Sequence, residues 1–320
     1  MELQNAEDIM QIKAPKKKWS QIVKLDFKKN WMIYMIALPV IAFYIIFCYV
    51  PMWGALIAFV DYKPTLGLFG SKFVGLRFFK EFLTGPYLYR TVKNTFMLNL
   101  WGLVFGFPAP IILALMLNEV RINKFKRTVQ TITYMPHFIS LVVVCGLIHV
   151  FCAPNGLLTT LYTFLGGRDN VPLLGQPNLF RPIYTFSGIW QDIGWNSIIY
   201  LAAMSGISPE LYESAELDGA GRIKQMWYIT LPSITPTIII LFIFAIGGMM
   251  ASGYEKVILL YNPLTYEKAD VIASYVYRLG LQQFSFSYST AVGLLNSVVN
   301  FFFLWVANTV ARKFSDISIW

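Results

Sequence analysis

Glu213-Ser214-Ala215-Glu216-Leu217-Asp218-Gly219-Ala220, followed by Ile229-Thr230-Leu231-Pro232, is the stretch from which the rest of the chain is read. It lies in a polar island, 208–232, between two long apolar runs. Ser208 stands where a helix N-cap accepts free backbone N–H groups, and Pro209 suits the first helical position. Glu210 and Glu213 sit near the positive end of that helix dipole. Asp218-Gly219 ends the helix, because glycine takes the backbone angles of a tight turn without steric penalty. The pattern predicts a second short amphipathic helix running to Thr230, with Pro232 opening the next apolar run.

The flanking runs place this island in a membrane protein. The 320 residues are 56% hydrophobic and 13% charged, against about 25% charged in an ordinary soluble domain. Apolar runs long enough for the ~30 Å hydrocarbon core recur near 31–55, 92–117, 132–152, 183–206, 233–252 and 287–311. The expected fold is all-α and polytopic, with six transmembrane helices. A basic segment, 1–30, precedes one membrane domain, 31–312, and a short tail, 313–320, follows it.

A net charge of +9 would suit a nucleic-acid binder, but its distribution suits a membrane. Seven lysines (Lys13, Lys16, Lys17, Lys18, Lys24, Lys28, Lys29) precede the first run, as an inside-facing flank requires. With that end inside, the alternation of spans puts Arg121, Lys124, Lys126, Arg127, Arg222, Lys224, Arg312 and Lys313 on the same side. Fifteen basic residues then lie inside and eleven outside, with both termini cytoplasmic and no nucleic-acid partner. The first run lacks a clear small-residue cleavage site and reads as retained. Trp19, Ile22, Val23 and Phe27 give its approach an amphipathic character, which suits either an interfacial helix on anionic lipid or a plain positive flank.

Chemistry of the usual catalytic kinds is not visible. Cys145 and Cys152, seven residues apart on one helix face, read as buried thiols, and Cys48 stands alone. Gly67-Leu68-Phe69-Gly70-Ser71-Lys72 has the composition of a phosphate loop but neither its order nor its spacing. His137 and His149 are twelve residues apart with no carboxylate partner apparent, so a metal site is not expected. His149 either packs helices or faces a substrate path. Any use of ATP belongs to another polypeptide.

The stretch 213–232 resembles the cytoplasmic EAA loop of binding-protein-dependent ABC import permeases. Glu213, Ala215, Asp218, Gly219, Ala220, Ile229, Leu231 and Pro232 fall on that pattern at its spacing, and Ser214 replaces its first alanine. Gly75-Leu76-Arg77-Phe78-Phe79 ahead of Asn94-Thr95 is similar to the sugar-uptake branch. So are Tyr261-Asn262-Pro263, Tyr275-Val276-Tyr277-Arg278 and the run from Phe286 to Gly293, and the likeness extends to Asn308 and Trp320. The resemblance implies a type I ABC importer permease fold in the bacterial cytoplasmic membrane, serving complex or oligomeric sugars. It implies a second homologous permease as heterodimer partner and two ABC ATPase subunits that hold ATP and Mg. An extracellular solute-binding protein or lipoprotein would deliver the sugar, and this chain would bind no cofactor. Alternating access would be driven through the helix pair in 208–232, with Glu213 meeting a basic residue of the ATPase.

A substrate path is sought on the polar faces of the spans. Asp192, Trp195 and Asn196 share one helix face at i, i+3, i+4, with Trp190 and Gln191 one turn outward. Asp192 either faces a watery cavity or sits solvated at the outer interface. Asn296 and Asn300 form a stripe with Gly293, for which hydrogen bonding between helices is the alternative. With Tyr254, these residues favour a sugar, since aromatic faces stack on pyranose C–H surfaces and amides bond hydroxyls. No cluster of buried charges is apparent, which speaks against a charged amino acid as cargo. A permease for another solute such as a peptide is the second reading. A membrane-embedded enzyme or sensor is the third, and would need paired acids or a metal cluster.

Overall fold

The computed structural model describes residues 19–167, 171–251 and 253–314. The lead 1–18, Ser252 at the expected end of the fifth span, and 315–320 of the tail, with Trp320, lie outside them. The chain falls into two units, Met1–Ala55 and Leu56–Trp320.

The described part of the first unit is helical. Helix α1, Trp19–Tyr44, departs from helical angles at Asn30 (φ −116°, ψ 24°). That kink separates the basic approach from the apolar run where the sequence changes character. The helix continues through a five-residue π turn, Ile45–Tyr49. The apolar stretch Asp26–Phe59 is long enough to cross a membrane. From Trp31 onward its side chains are apolar nearly all round, the pattern of a lipid-spanning helix rather than a half-buried one.

The second unit opens on a two-stranded antiparallel hairpin that an all-α reading does not contain. Strand β1, Val60–Lys63, pairs with β2, Ser71–Phe73, with Val60 opposite Phe73. Gly67 lies in the left-handed region (φ 66°). The Ser71 hydroxyl donates to Gly67 O at 2.6 Å and accepts from Lys63 N–H at 3.0 Å. The stretch that looks like a phosphate loop is a hairpin connection.

Helices follow: α2, Arg77–Thr84, then α3, Tyr87–Glu119, which crosses a π turn at Gly102–Gly106. The basic residues after the second run lie on a helix, and the expected third span, 132–152, is bent. Residues Asn123–Tyr134 form a helix, α4, whose basic and apolar faces are set at helical spacing. A short 3-10 turn over Met135–Phe138 leads to α5, Leu141–Cys152. The two arms bend by 100°. Ile139 is extended, and the Ser140 hydroxyl accepts from Val143 N–H at 3.4 Å, so a new helix starts there. The 12 residues of α5 reach only ~18 Å, too little for a crossing on their own.

Helix α6, Pro177–Ser205, has 29 residues and covers the predicted fourth run. Its amides, hydroxyls and indoles leave it less apolar than the other long helices. Helix α7, Pro209–Leu217, is the first arm of the polar island. The predicted second arm is not separate: α8 runs unbroken from Arg222 to Gly247. A π turn at Met226–Thr230 accommodates Pro232, whose missing N–H would otherwise interrupt the hydrogen-bond ladder. Short helices α9, Tyr254–Leu260, and α10, Ile272–Tyr277, precede α11, Phe286–Phe314. Among the described residues, four continuous helices have the length and apolarity of a span, and the bent pair makes a fifth.

Three apolar clusters hold the second unit together. One joins Leu98, Val144, Cys145, Ile148, Phe180 and Val257; a second joins Phe82, Met250, Ile272, Tyr275 and Val292. The third, Ala114, Tyr200, Met204 and Ile234, sits next to the polar island through Ile207 and Leu231. Cys145 and Cys152 are buried as expected, and Cys48 is exposed.

Candidate functional site

The polar island folds back on itself. Ser208 has the extended backbone of an N-cap, although its side chain makes no capping bond, and Pro209 occupies the first turn. The helix closes where Asp218 N–H donates to Ser214 O and Ala220 N–H donates to Ala215 O at 2.8 Å. Between them Gly219 adopts φ 75°, the left-handed C-terminal turn that glycine permits. Nothing lies within 4 Å of the place a Cβ would occupy, so the backbone angle and not space demands glycine. Gln225 Nε2 donates to Ala220 O at 2.9 Å, and the hydroxyls of Tyr212 and Thr230 meet at 2.9 Å. Ile229 and Leu231 are half-buried, while Glu213, Glu216, Asp218 and Pro232 are exposed. The exposed surface is also apolar: Leu217 is 90% accessible, Tyr228 79% and Ile223 72%.

The polar face of α6 is set by a close crossing. A Cβ on Gly194 would lie 2.2 Å from Thr133 O, so only glycine lets α4 and α6 approach this near. The crossing brings His137 Nδ1 to 2.9 Å from Asp192 Oδ1 and stacks the imidazole on Trp195, centroids 4.5 Å apart at 6°. His137 therefore has a carboxylate partner, contrary to the expectation from sequence; the two lie 55 positions apart and meet only through this crossing. His149 Nε2 lies 2.8 Å from Leu259 O, a contact between helices α5 and α9.

The remaining predicted path residues do not converge on that face. Asp192 and Asn196 line a cavity of about 300 Å³ with Gly106, Gly188 and Lys256. Asn196 also joins Trp195 on a neighbouring cavity of about 370 Å³. Trp190 turns away, into an apolar cavity of about 510 Å³ with Val144, Leu161 and Phe186. Tyr254 stacks on Tyr277 with centroids 5.8 Å apart, and shares a cavity of about 440 Å³ with Asn296. Asn296 Nδ2 donates to Met250 O at 3.0 Å, and Met250 N–H donates to Asn300 Oδ1 at 2.9 Å. Both amides fasten the backbone just beyond α8 to α11, which is the bonding between elements offered as their alternative.

A buried ionic cluster was missed by the sequence reading. Asp270 is fully buried and accepts from Arg90 Nη2 at 2.9 Å, Arg278 Nη2 at 2.8 Å and the Ser274 hydroxyl at 2.9 Å. Arg278 also lies over the Tyr266 ring and Arg90 over Tyr87. Asn94 extends the network: its amide donates to Glu267 O and Asp270 O, and its carbonyl accepts from Arg181 Nη2 at 2.8 Å. The i, i+4, i+8 spacing of Asp270, Ser274 and Arg278 was the available signal. Lys256, 7% exposed, was also missed. Among the described residues no group of three or more His, Cys, Asp or Glu could hold a metal ion.

Comparison with known proteins agrees with this architecture. The family "binding-protein-dependent transport system inner membrane component" matches residues 106–316. The polygalacturonan/rhamnogalacturonan transport system permease protein YteP of Bacillus subtilis is 44% identical over 316 residues, 98% of this chain and 97% of that protein. Protein LplB of Bacillus subtilis is 43% identical over 299 residues, 93% of this chain and 92% of that protein. A chain of a bacterial alginate ABC transporter, solved in complex with an alginate pentasaccharide-bound periplasmic protein, superposes with a TM-score of 0.84. It is 43% identical, and the match covers 92% of this chain and 98% of that one. A match along about two-thirds of the chain, relatives of this identity along nearly its whole length, and a helix-turn loop with the family's spacing lead to one conclusion: the chain belongs to the binding-protein-dependent inner membrane components, and is a permease subunit of an ABC transporter rather than an enzyme.

Proposed function

We propose that the chain moves an oligosaccharide inward as one transmembrane subunit of an ATP-driven importer. The observation that carries this is the 44% identity to a polygalacturonan/rhamnogalacturonan permease over 98% of the chain. The folded loop 208–232 supplies the mechanics. Two ABC ATPase subunits holding ATP and Mg would dock on its exposed apolar face, with Glu213 paired to a basic residue. A second homologous permease would complete the path, and an extracellular binding protein would deliver cargo. In this arrangement both termini and the loop are cytoplasmic. The path runs along α6, where Trp195 offers an aromatic face and Asn196 an amide, with Asp192 held by His137. Trp190, Tyr254, Asn296 and Asn300 support neighbouring walls rather than the same face.

The test is reconstitution of the four-subunit complex with its binding protein in liposomes. ATP-dependent accumulation of labelled oligogalacturonates or alginate oligosaccharides is expected. Accumulation of peptides with no sugar uptake would reject the reading. The single purified chain should show no ATP turnover.

A further inference from the structure

Lys256 lies in α9 with 7% of its surface exposed, and buried lysines ordinarily pair with a carboxylate. Among the described residues none lies within 4 Å of its ammonium: the ion pairs found are Arg90–Asp270, Arg278–Asp270 and His137–Asp192. Lys256 Nζ donates to a neutral acceptor, Tyr184 O at 3.0 Å, and lies 4.9 Å from the centre of the Tyr184 ring. An ammonium has three N–H donors, so capacity is left over.

The space beside it fits a ligand. Lys256 lines the cavity of about 300 Å³ between α3 and α6, at the small end of the range for ligand sites. Gly102 and Gly106 from the π turn of α3 form its opposite wall. Gly188 leaves room for the ammonium: a Cβ there would stand 3.1 Å from Nζ. Thr185 lines the same cavity, is 5% exposed, and its hydroxyl has no partner. Asp192, the carboxylate on this wall, is taken by His137. A cation with spare donors, an unpartnered hydroxyl and the Asn196 amide therefore border one cavity. Together they match a carboxylate set on a ring of hydroxyls.

We infer that Lys256 is a specificity-determining residue that recognises the carboxylate of an acidic sugar unit in this cavity. The inference rests on the oligosaccharide reading above and narrows it to uronate-bearing chains. Charge-assisted bonds are the stronger ones, and leaving a buried partner unpaired adds to the effect, so a preference of at least about tenfold is expected.

The experiment uses the reconstituted complex with oligogalacturonates and alginate oligosaccharides, each before and after carboxyl reduction. Lys256→Gln should lower the ratio of acidic to reduced-sugar uptake about tenfold or more, and Lys256→Arg should restore most of it. Gly188→Ala keeps the charge but displaces the ammonium, and should lower the same ratio to a smaller degree. This variant decides the matter if Lys256→Gln fails to assemble. Loss of both sugars in equal proportion in either variant, or an unchanged ratio, would overturn the inference while the oligosaccharide reading stands. Uptake of neither sugar by the unaltered complex would overturn that reading, and the inference with it.

Discussion

The hydroxyls of Tyr212 and Thr230 lie 2.9 Å apart. Tyr212 stands mid-way along α7, and Thr230, 1% exposed, lies in the π turn where α8 enters its apolar run. The bond closes the loop 208–232 across its open side and ties α7 to the start of α8. Closure depends on the turn between the arms.

That turn rests on Gly219 at φ 75°. Gly219→Val should leave membrane insertion intact, since the side chain would project into open space. It should strain the backbone by about 1–3 kcal/mol. The expected outcome is normal abundance, with sugar uptake falling relative to ATP hydrolysis. Uptake per ATP equal to that of the unaltered protein would show that the loop tolerates another turn.

Glu213 and Glu216 are both exposed on α7, so neither contributes to the fold of the isolated subunit. An ion pair that stayed exposed in the complex would be worth only ~0.2–1 kcal/mol. One desolvated at a subunit interface would cost about 2–5 kcal/mol on truncation. Glu213→Ala should therefore lower both ATPase co-purification and uptake, and Glu216→Ala should do so less. Equal retention of ATPase by the two variants would place Glu213 on the solvated side.

Asp270 sits fully buried between Arg90 and Arg278. Asp270→Asn removes the negative charge and leaves two guanidinium groups facing an amide, at a cost of about 3–5 kcal/mol. A clear drop in the melting temperature of the purified subunit is expected. A double variant that also replaces Arg278 with a neutral residue should recover part of it, and additive losses would argue against a shared network.

Burial pushes the Lys256 ammonium down to about 8, with Cys145 and Asp192 pulling weakly the other way. A lysine is cationic below its pKa. Preference for acidic over carboxyl-reduced sugar should therefore hold below about pH 8 and fade as pH rises through that value. Cys145 on α5, and Tyr184 and Asp192 on α6, are the titratable groups that face it. Lys256→Arg should flatten the profile, because a guanidinium keeps its charge. Uptake ratios measured between about pH 6.5 and 9.5, a window that brackets the lowered value of about 8 and stays below the ordinary lysine value of about 10.4, check this.

The loop was legible from sequence because it is local. Its cap position, its helix, the glycine turn and the exposed acids all lie within 208–232 and answer to each other at short range. What was misread depends on distant partners or on small breaks in register. Asn296 and Asn300 bond the backbone of Met250, 46 and 50 positions away in sequence, a contact their helical spacing does not announce. His137 gains Asp192 only because Gly194 lets two helices touch. Residues 132–152 are apolar enough to read as one span, and two extended residues, Ile139 and Ser140, bend them. Lys256 resembles any loop lysine until α9 is seen folded against α6.

The π turn Gly102–Gly106 divides α3 into two parts with different neighbours. One extra residue in a turn rotates all that follows by about 100°. On one side of it, Asn94 and Thr95 are pinned by directional bonds to the backbone of residues 267–272. On the other, Ala114 meets Tyr200, Met204 and Ile234 through apolar contact, which has no preferred direction. Bonds with fixed angles hold register by direction, whereas apolar contacts hold it by complementary shape. One end of α3 is thus fixed by directional bonds and the other by packing, and the loop 208–232 adjoins the packed end through Ile207 and Leu231.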